Sequence, residues 1–208
     1  MRTFVTMIMV LLFINPMIAQ EEINLPEPDR TGGKTLMLSL SQRKSSREFS
    51  SKELSLQQIS NILWAANGIN RKEESKHTAP TANNRQNMEI YVFLPTGVYL
   101  YNDKDHKLLM INPGNHMKSA GRQDFVGTAA MNVMIVSDMS KLGDSTEENK
   151  LIYAGIHAGA IMQNLYLYCA SAELNTVARR YFDEKVVSEV LKLSSEKKPI
   201  IAQTIGYK

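Results

Sequence analysis

The chain has 208 residues, 43% of them apolar and 22% charged, an ordinary globular composition that excludes a disordered or collagen-like protein. A formal charge of +3 is too weak to argue for nucleic-acid binding, and a single cysteine excludes a disulfide scaffold or a cysteine-built metal centre. A chain of this size typically buries roughly 70% of its unfolded surface, enough for one sizeable core and no obvious second domain.

The N-terminus reads as a processing segment. Met1-Arg2-Thr3 is a short basic start, Phe4 to Ile14 is almost unbroken apolar sequence, and Pro16-Met17-Ile18-Ala19 leads into polar Gln20-Glu21-Glu22. That pattern predicts a secretory signal peptide over residues 1–19, cut at Ala19–Gln20, and hence an exported, periplasmic protein. The alternative is an uncleaved N-terminal membrane anchor, for which the 16 residues from Phe4 to Ala19 fall short of the ~20 that cross a bilayer. No cysteine near the cut offers a lipid attachment, and no other run approaches membrane-spanning length.

Gln20 to Lys34, with Pro26, Pro28, Gly32 and Gly33, predicts an extended polar arm; residues 35–208 form the domain. Thr35 to Gln42 alternates weakly and fits a short helix or strand. Ser55-Leu56-Gln57-Gln58 is a capping-box sequence, and Leu56, Ile59, Leu63 and Ala66 then share a helical face that Gly68 closes. Lys72 to Thr78 reads as a loop. Glu89 to Leu94, Val98 to Tyr101 and Leu108 to Ile111, separated by turns at Pro95-Thr96-Gly97 and Asn102 to Lys107, predict an antiparallel meander. Asn132 to Val136 is a further strand. Glu147 to Ala172 lacks proline and is apolar nearly all round, which predicts a long central helix capped by Ser145 or Thr146. A strand at Asn175 to Ala178, a helix at Phe182 to Lys192 with Val186, Val187, Val190 and Leu191 inward, and a strand at Pro199 to Ile205 complete the chain. Strand pairs are hairpin-like without βαβ regularity, so the class is α+β.

Two stretches carry chemistry. Arg43-Lys44-Ser45-Ser46-Arg47 packs three cations and two hydroxyls into five residues, and in extended form Arg43, Ser45 and Arg47 share one face, a donor set suited to a phosphate dianion. From composition alone, a solvated basic stretch is the more economical account. His77 to Gln86 combines small residues, a proline and paired amides, suited to a flat polar ligand or to a plain surface loop. His77, His106, His116 and His157 are scattered, which argues against a metal; His157 is expected to pack in the core and Cys169 to be buried and inert. A nucleophile elbow, a P-loop and a dinucleotide fingerprint are all missing from the sequence.

The order of these segments resembles one family. Arg43-Lys44-Ser45-Ser46-Arg47-Glu48-Phe49 resembles the opening motif of FMN-dependent nitroreductases, and Ala79-Pro80-Thr81-Ala82-Asn83-Asn84-Arg85-Gln86 is similar to their Ala-Pro-Ser-Ala loop. Gly97 to Tyr101, Gln123 to Val126, Gln163-Asn164-Leu165, Leu174 to Arg179 and Gln203 to Lys208 follow in the order of the family's short branch, which includes thiazoline/oxazoline oxidases. The resemblance spans Thr35 to Lys208. It implies an α+β homodimer, with a mainly antiparallel sheet flanked by helices around a long central helix and FMN at the subunit interface. By matching position, Arg43, Lys44 and Ser45 hold the FMN phosphate and ribityl chain, and Arg47 the pyrimidine side of the ring. Pro80, Thr81, Ala82, Asn84 and Gln86 belong to the loop that packs on the ring from the other subunit; Val177, Ala178 and Arg179 lie near flavin N5, and Lys208 adds a phosphate contact. Lys44 replaces the commoner Arg, Asn87 a frequent Pro, and Arg179-Arg180-Tyr181 a stretch of small residues, with the two arginines expected to face solvent. The implied activity is hydride transfer from a small-molecule donor of NAD(P)H or quinol type to a nitroaromatic or quinone acceptor. The flavin does the redox work, so no catalytic side chain is required. The alternatives are an exported binding protein of the same fold without turnover, and a peptide azoline oxidase.

Overall fold

A computed structural model describes residues 21–208. The expected signal segment and its cut lie outside the described residues. Among the described residues, nine strands and four α-helices run in the order β1 (Glu22–Asn24), α1 (Leu36–Gln42), α2 (Leu56–Asn67), β2 (Ile69–Arg71), β3 (Lys76–His77), β4 (Met88–Leu94), β5 (Gly97–Asn102), β6 (Lys107–Pro113), β7 (Met131–Asp138), α3 (Glu147–Ser171), β8 (Asn175–Arg179), α4 (Glu184–Val190) and β9 (Lys197–Gly206). Seven strands form one sheet in the order β1-β6-β5-β4-β7-β9-β8, and every pairing in it is antiparallel. The architecture is the expected α+β fold with its long central helix.

Strands β4 and β7 lie at the middle of the sheet and are buried on both faces, which is why they read as unbroken apolar runs. Ile90, Val92 and Leu94 alternate with Tyr91 and Phe93 and so feed two different cores. The first core packs Val92, Val133 and Ile135 against Ile62 and Leu63 of α2 and Ile161 and Leu165 of α3. The second packs Phe93, Met134 and Val136 against Val187 and Leu191 of the α4 region and Met117 and Val126 of the 3₁₀ turns between β6 and β7.

The local signals act as the sequence predicts. Ser55 Oγ accepts from Gln58 N–H while the Gln58 side chain returns to Ser55 N–H, so both halves of the capping box form. Leu94 pairs with Gly97 across a tight turn, giving the β4–β5 hairpin. Thr146 caps α3 by accepting from Asn149 N–H. Three details differ. Residues 72–78 hold a 3₁₀ turn and strand β3, which pairs with β2, because Arg71 and Lys76 close a small hairpin. Leu56 is exposed; the buried stripe of α2 starts one turn later, at Ile59. Val186 also points outward, because the short α4 turns only Val187 fully inward, with Leu191 following just beyond its end.

Candidate functional site

Strand β8 is an edge of the sheet, and an extended segment covers it. Ser46 N–H donates to Thr176 O (2.9 Å) and Asn175 Nδ2 donates to Glu48 O (2.7 Å), so residues 43–48 run along the edge that would otherwise stay unpaired. Those bonds use backbone groups of the segment. Its basic side chains remain available: Arg43, Lys44 and Arg47 have no carboxylate partner among the described residues.

Tyr166, on the inner side of α3, ties this segment to β8. Its hydroxyl accepts from Ala178 N–H (2.9 Å) and lies 2.8 Å from Ser45 Oγ, while the Arg43 guanidinium sits over its ring at 5.2 Å. Sequence reasoning missed Tyr166, because on an all-round apolar helix a tyrosine reads as core. Beside it opens a cavity of about 440 Å³ whose lining includes Lys34, Lys44, Tyr166, Asn175, Thr176 and Lys208. Lys34 pairs with the rim residue Glu173 (3.1 Å), and Lys208 lies 3.5 Å from Glu48. Three ammonium groups, an amide and two hydroxyls around such a volume suit the phosphate end of a nucleotide-sized ligand. Lys34 comes from the N-terminal arm and was also missed, lying outside any motif. Cys169 is fully buried beneath the cavity, and burial pushes its thiol up to about 12, which leaves it inert.

The second stretch is elsewhere. Pro80, Thr81, Ala82, Asn84 and Gln86 form a loop that docks on the N-terminal half of α3, where Ala82 N–H donates to His157 Nε2 (2.8 Å). Tyr166 lies nine positions after His157 on the helix, about 14 Å along the axis. Within one chain the loop and the 43–47 segment therefore do not share a site. His157 is buried, as expected. Near the loop, α3 presents Ile152 (53% exposed) and Ile156 (60%), flanked by Leu151 and Tyr153. Among them lie Gly155 and Gly159, where an added Cβ would meet nothing within 4 Å.

The carried-over residues of β8 divide. Ala178 faces Tyr166, whereas Val177 is buried. Arg179 is not solvent-facing: it is 6% exposed, and its guanidinium donates to Ala120 O, Asn132 Oδ1 and Thr204 Oγ1. Alternation along the strand turns it into the second core, and Gly121 leaves the room for it. With no carboxylate partner among the described residues, burial lowers its pKa to about 10. Arg180 is the exposed member of the pair, bound to Glu184.

A model of the nitroreductase family matches residues 40–207. The chain belongs to the nitroreductase family. A protein of Methanocaldococcus jannaschii described as a nitroreductase is 27% identical over 197 residues, covering 90% of this chain and 96% of that one. A solved structure from Ralstonia eutropha JMP134, also described as a nitroreductase, is 38% identical with a TM-score of 0.84, covering 89% of each chain. A Staphylococcus epidermidis structure described as an NAD(P)H:FMN oxidoreductase shares the fold at 15% identity, with a TM-score of 0.64 over 88% of this chain and 91% of that one. Family and fold together support an oxidoreductase of the flavin-using kind.

Proposed function

We propose that this nitroreductase-family protein is an FMN-dependent oxidoreductase acting as a homodimer. The observation that carries the cofactor is the Arg43–Arg47 segment: fixed by its backbone to β8, it holds three cations with no carboxylate partner among the described residues, of which Lys44 lines a cavity that Lys208 also lines. Arg43, Lys44, Ser45 and Lys208 would hold the phosphate and ribityl chain, and Arg47 the pyrimidine edge. A cation at that edge favours the negative charge that reduction places there. FMN, when bound, supplies the two-electron chemistry, taking hydride from a reduced donor and returning it to a nitroaromatic or quinone acceptor. The protein supplies binding, orientation and charge.

The exposed apolar residues of α3 and α1 support the dimer. Leu36, Met37 and Leu40 of α1 and Ile152 and Ile156 of α3 are large side chains left in water by a single chain. Covering them with a second copy would carry each Pro80–Gln86 loop toward the partner's 43–47 segment, completing a site that one chain leaves divided.

The leader pattern of residues 1–19 supports export, where free NAD(P)H is not normally supplied. A quinol-type donor, or ligand binding without turnover, then becomes the physiological alternative. One experiment tests the cofactor and separates these. The purified protein is expected to show flavin absorbance bands, and anaerobic titration with NADPH, NADH and a soluble quinol to bleach them at different rates. A colourless protein that takes up no added FMN would end the assignment; a yellow protein that no donor bleaches would favour binding without turnover.

A further inference from the structure

The Pro80–Gln86 loop has an unusual shape, closed by Thr81 Oγ1 accepting from Gln86 N–H (3.0 Å) and anchored at its centre by one buried histidine. Asn83 (φ 52°), Asn84 (φ 52°) and Gln86 (φ 46°) all lie in the left-handed region, three residues of four in a conformation that side chains disfavour. Such a backbone persists only where its surroundings over-determine it. The loop's rim is clasped reciprocally: Arg85 Nη1 donates to Lys141 O (3.1 Å) and Lys141 Nζ donates to Gln86 O (3.3 Å). Both of those side chains sit at the surface. At its centre, Ala82 N–H reaches His157 Nε2 at 2.8 Å.

The protonation state of that histidine follows from its partners. A backbone amide can only donate, so Nε2 must offer a lone pair, and the ring proton sits on Nδ1. Nδ1–H then donates to Asn87 Oδ1 (2.7 Å), leaving Asn87 Nδ2 to donate to Ser137 Oγ (2.8 Å), while Asn87 O accepts from Asp138 N–H (2.7 Å). His157, Asn87 and Ser137 are all buried. The relay links loop, helix α3 and strand β7 through donors and acceptors whose directions are all fixed. A second proton on His157 would set N–H against N–H at Ala82. The groups facing the ring are Arg85 from the loop, whose charge opposes protonation, the uncharged amide and hydroxyl of Asn87 and Ser137, and the Tyr153 ring one turn back along α3, with centroids 6.1 Å apart. None offers a counter-charge to a protonated imidazole.

We infer that His157 is a positioning residue: its neutral Nε2 latches the Pro80–Gln86 loop in its left-handed conformation, and protonation of the ring releases the loop. The functional weight of this latch rests on the reading above, in which the loop completes the partner's cofactor site; the latch itself does not. Burial, then Arg85, holds the His157 pKa below the ordinary histidine value. The latch is therefore whole above about pH 6.5, the value of a free imidazole, and weakens as pH falls through the lower folded-state pKa.

Hydrogen exchange of the full-length protein, following the segment 79–87 against the β7 segment as an internal control, tests the latch without reference to flavin. In the wild type, protection of the loop relative to β7 should fall by up to about tenfold per pH unit as pH drops from about 6.5 towards the lowered His157 pKa, and level off below it, after correction for intrinsic exchange. His157→Gln keeps an acceptor that does not titrate, and should flatten that dependence. His157→Phe removes the acceptor and should leave the Ala82 amide unprotected, and lower the protection of the loop around it, at every pH with β7 unchanged. Wild-type protection that stays flat from pH 7 to the acid edge of folding, or a Phe variant as protected as wild type, would overturn the inference. If either substitution unfolds the chain, the wild-type profile and the ¹⁵N shift of His157 Nε2, expected to be that of an unprotonated ring nitrogen at neutral pH, still decide it. FMN binding measured in parallel separates the two ideas: a loop that opens with acid while FMN stays bound would retain the latch and remove the loop from the cofactor site.

Discussion

The 43–48 segment and the 79–87 loop are both irregular surface stretches beside α3, yet they are held in opposite ways. The first is fixed along β8 by an amide of its own and by an amide reaching its backbone, and it leaves Arg43, Lys44 and Arg47 without a carboxylate partner among the described residues. The second uses side chains to fix itself: Arg85, Gln86 and Thr81 all bond within the protein, and the central amide is latched to His157. A segment that keeps its charged groups free is built to bind through them. A loop that satisfies its own side chains and holds a left-handed backbone is built to present a shape. On the function proposed above, the contrast gives charge recognition to one stretch and surface complementarity to the other.

The largest effect is expected from removing recognition. Arg43→Ala with Ser45→Ala should lower FMN affinity by about two to four orders of magnitude, since charge-assisted hydrogen bonds are worth roughly 1.5–3 kcal/mol each. Far-UV circular dichroism should stay unchanged, because the segment's backbone bonds remain. A double variant that stays fully yellow through gel filtration would remove the segment from the site.

Breaking the union of the two stretches comes next. Ile152→Asp with Ile156→Asp places two carboxylates on the exposed face of α3 without disturbing either core. The expected result is a folded monomer by light scattering with FMN lost in step, because a site shared between subunits binds only in the dimer. A monomer that keeps stoichiometric FMN would show that one chain suffices.

How far the sequence revealed these regions depends on what each uses. The strands, the capping box and the central helix were legible because their signals are local: period-two alternation, a Ser with Gln three residues on, a proline-free apolar run. The cations of 43–47 were visible as composition but not as a site, since their meaning comes from lying along β8, more than 120 residues away in sequence. Tyr166 and Lys34 had no local signature. Arg179 was misread as solvent-facing because a charged residue at a strand end is ordinarily exposed, whereas here three neutral acceptors and the bare Gly121 make room for it. The left-handed loop was legible as asparagine-rich, but not its latch, which lies 75 residues downstream.

A smaller effect should come from the tyrosine that joins the recognition segment to β8. Tyr166→Phe removes the acceptor of Ala178 N–H and the partner of Ser45 Oγ together. A loss of about 1–3 kcal/mol is expected if Ala178 N–H stays buried and unsatisfied, and less if water reaches it through the adjoining cavity. Urea unfolding of the wild type and variant, with and without FMN, should show the difference shrinking when FMN is present, if the cofactor takes over those donors. A difference that ligand does not change would make Tyr166 purely structural.

The smallest effect is one of sign, and it sharpens the comparison most directly. Asn83 holds a left-handed backbone, so Asn83→Gly trades relief of that conformation against a more flexible unfolded chain and should change stability by no more than about 0.5 kcal/mol. Asn83→Ala keeps a Cβ and loses the side chain that tolerates the conformation, and should cost about 1 kcal/mol. At Ser46, where the backbone donates to Thr176 along the covered edge of β8, glycine has nothing to relieve. There Ser46→Gly should cost about 0.5–1 kcal/mol and Ser46→Ala close to nothing. Chemical denaturation of the four variants reads the crossing: glycine above alanine in the loop, alanine above glycine in the segment. The same ranking at both positions would mean that the loop's shape is not held against strain, and the division between a stretch that binds and a stretch that presents would lose its physical basis.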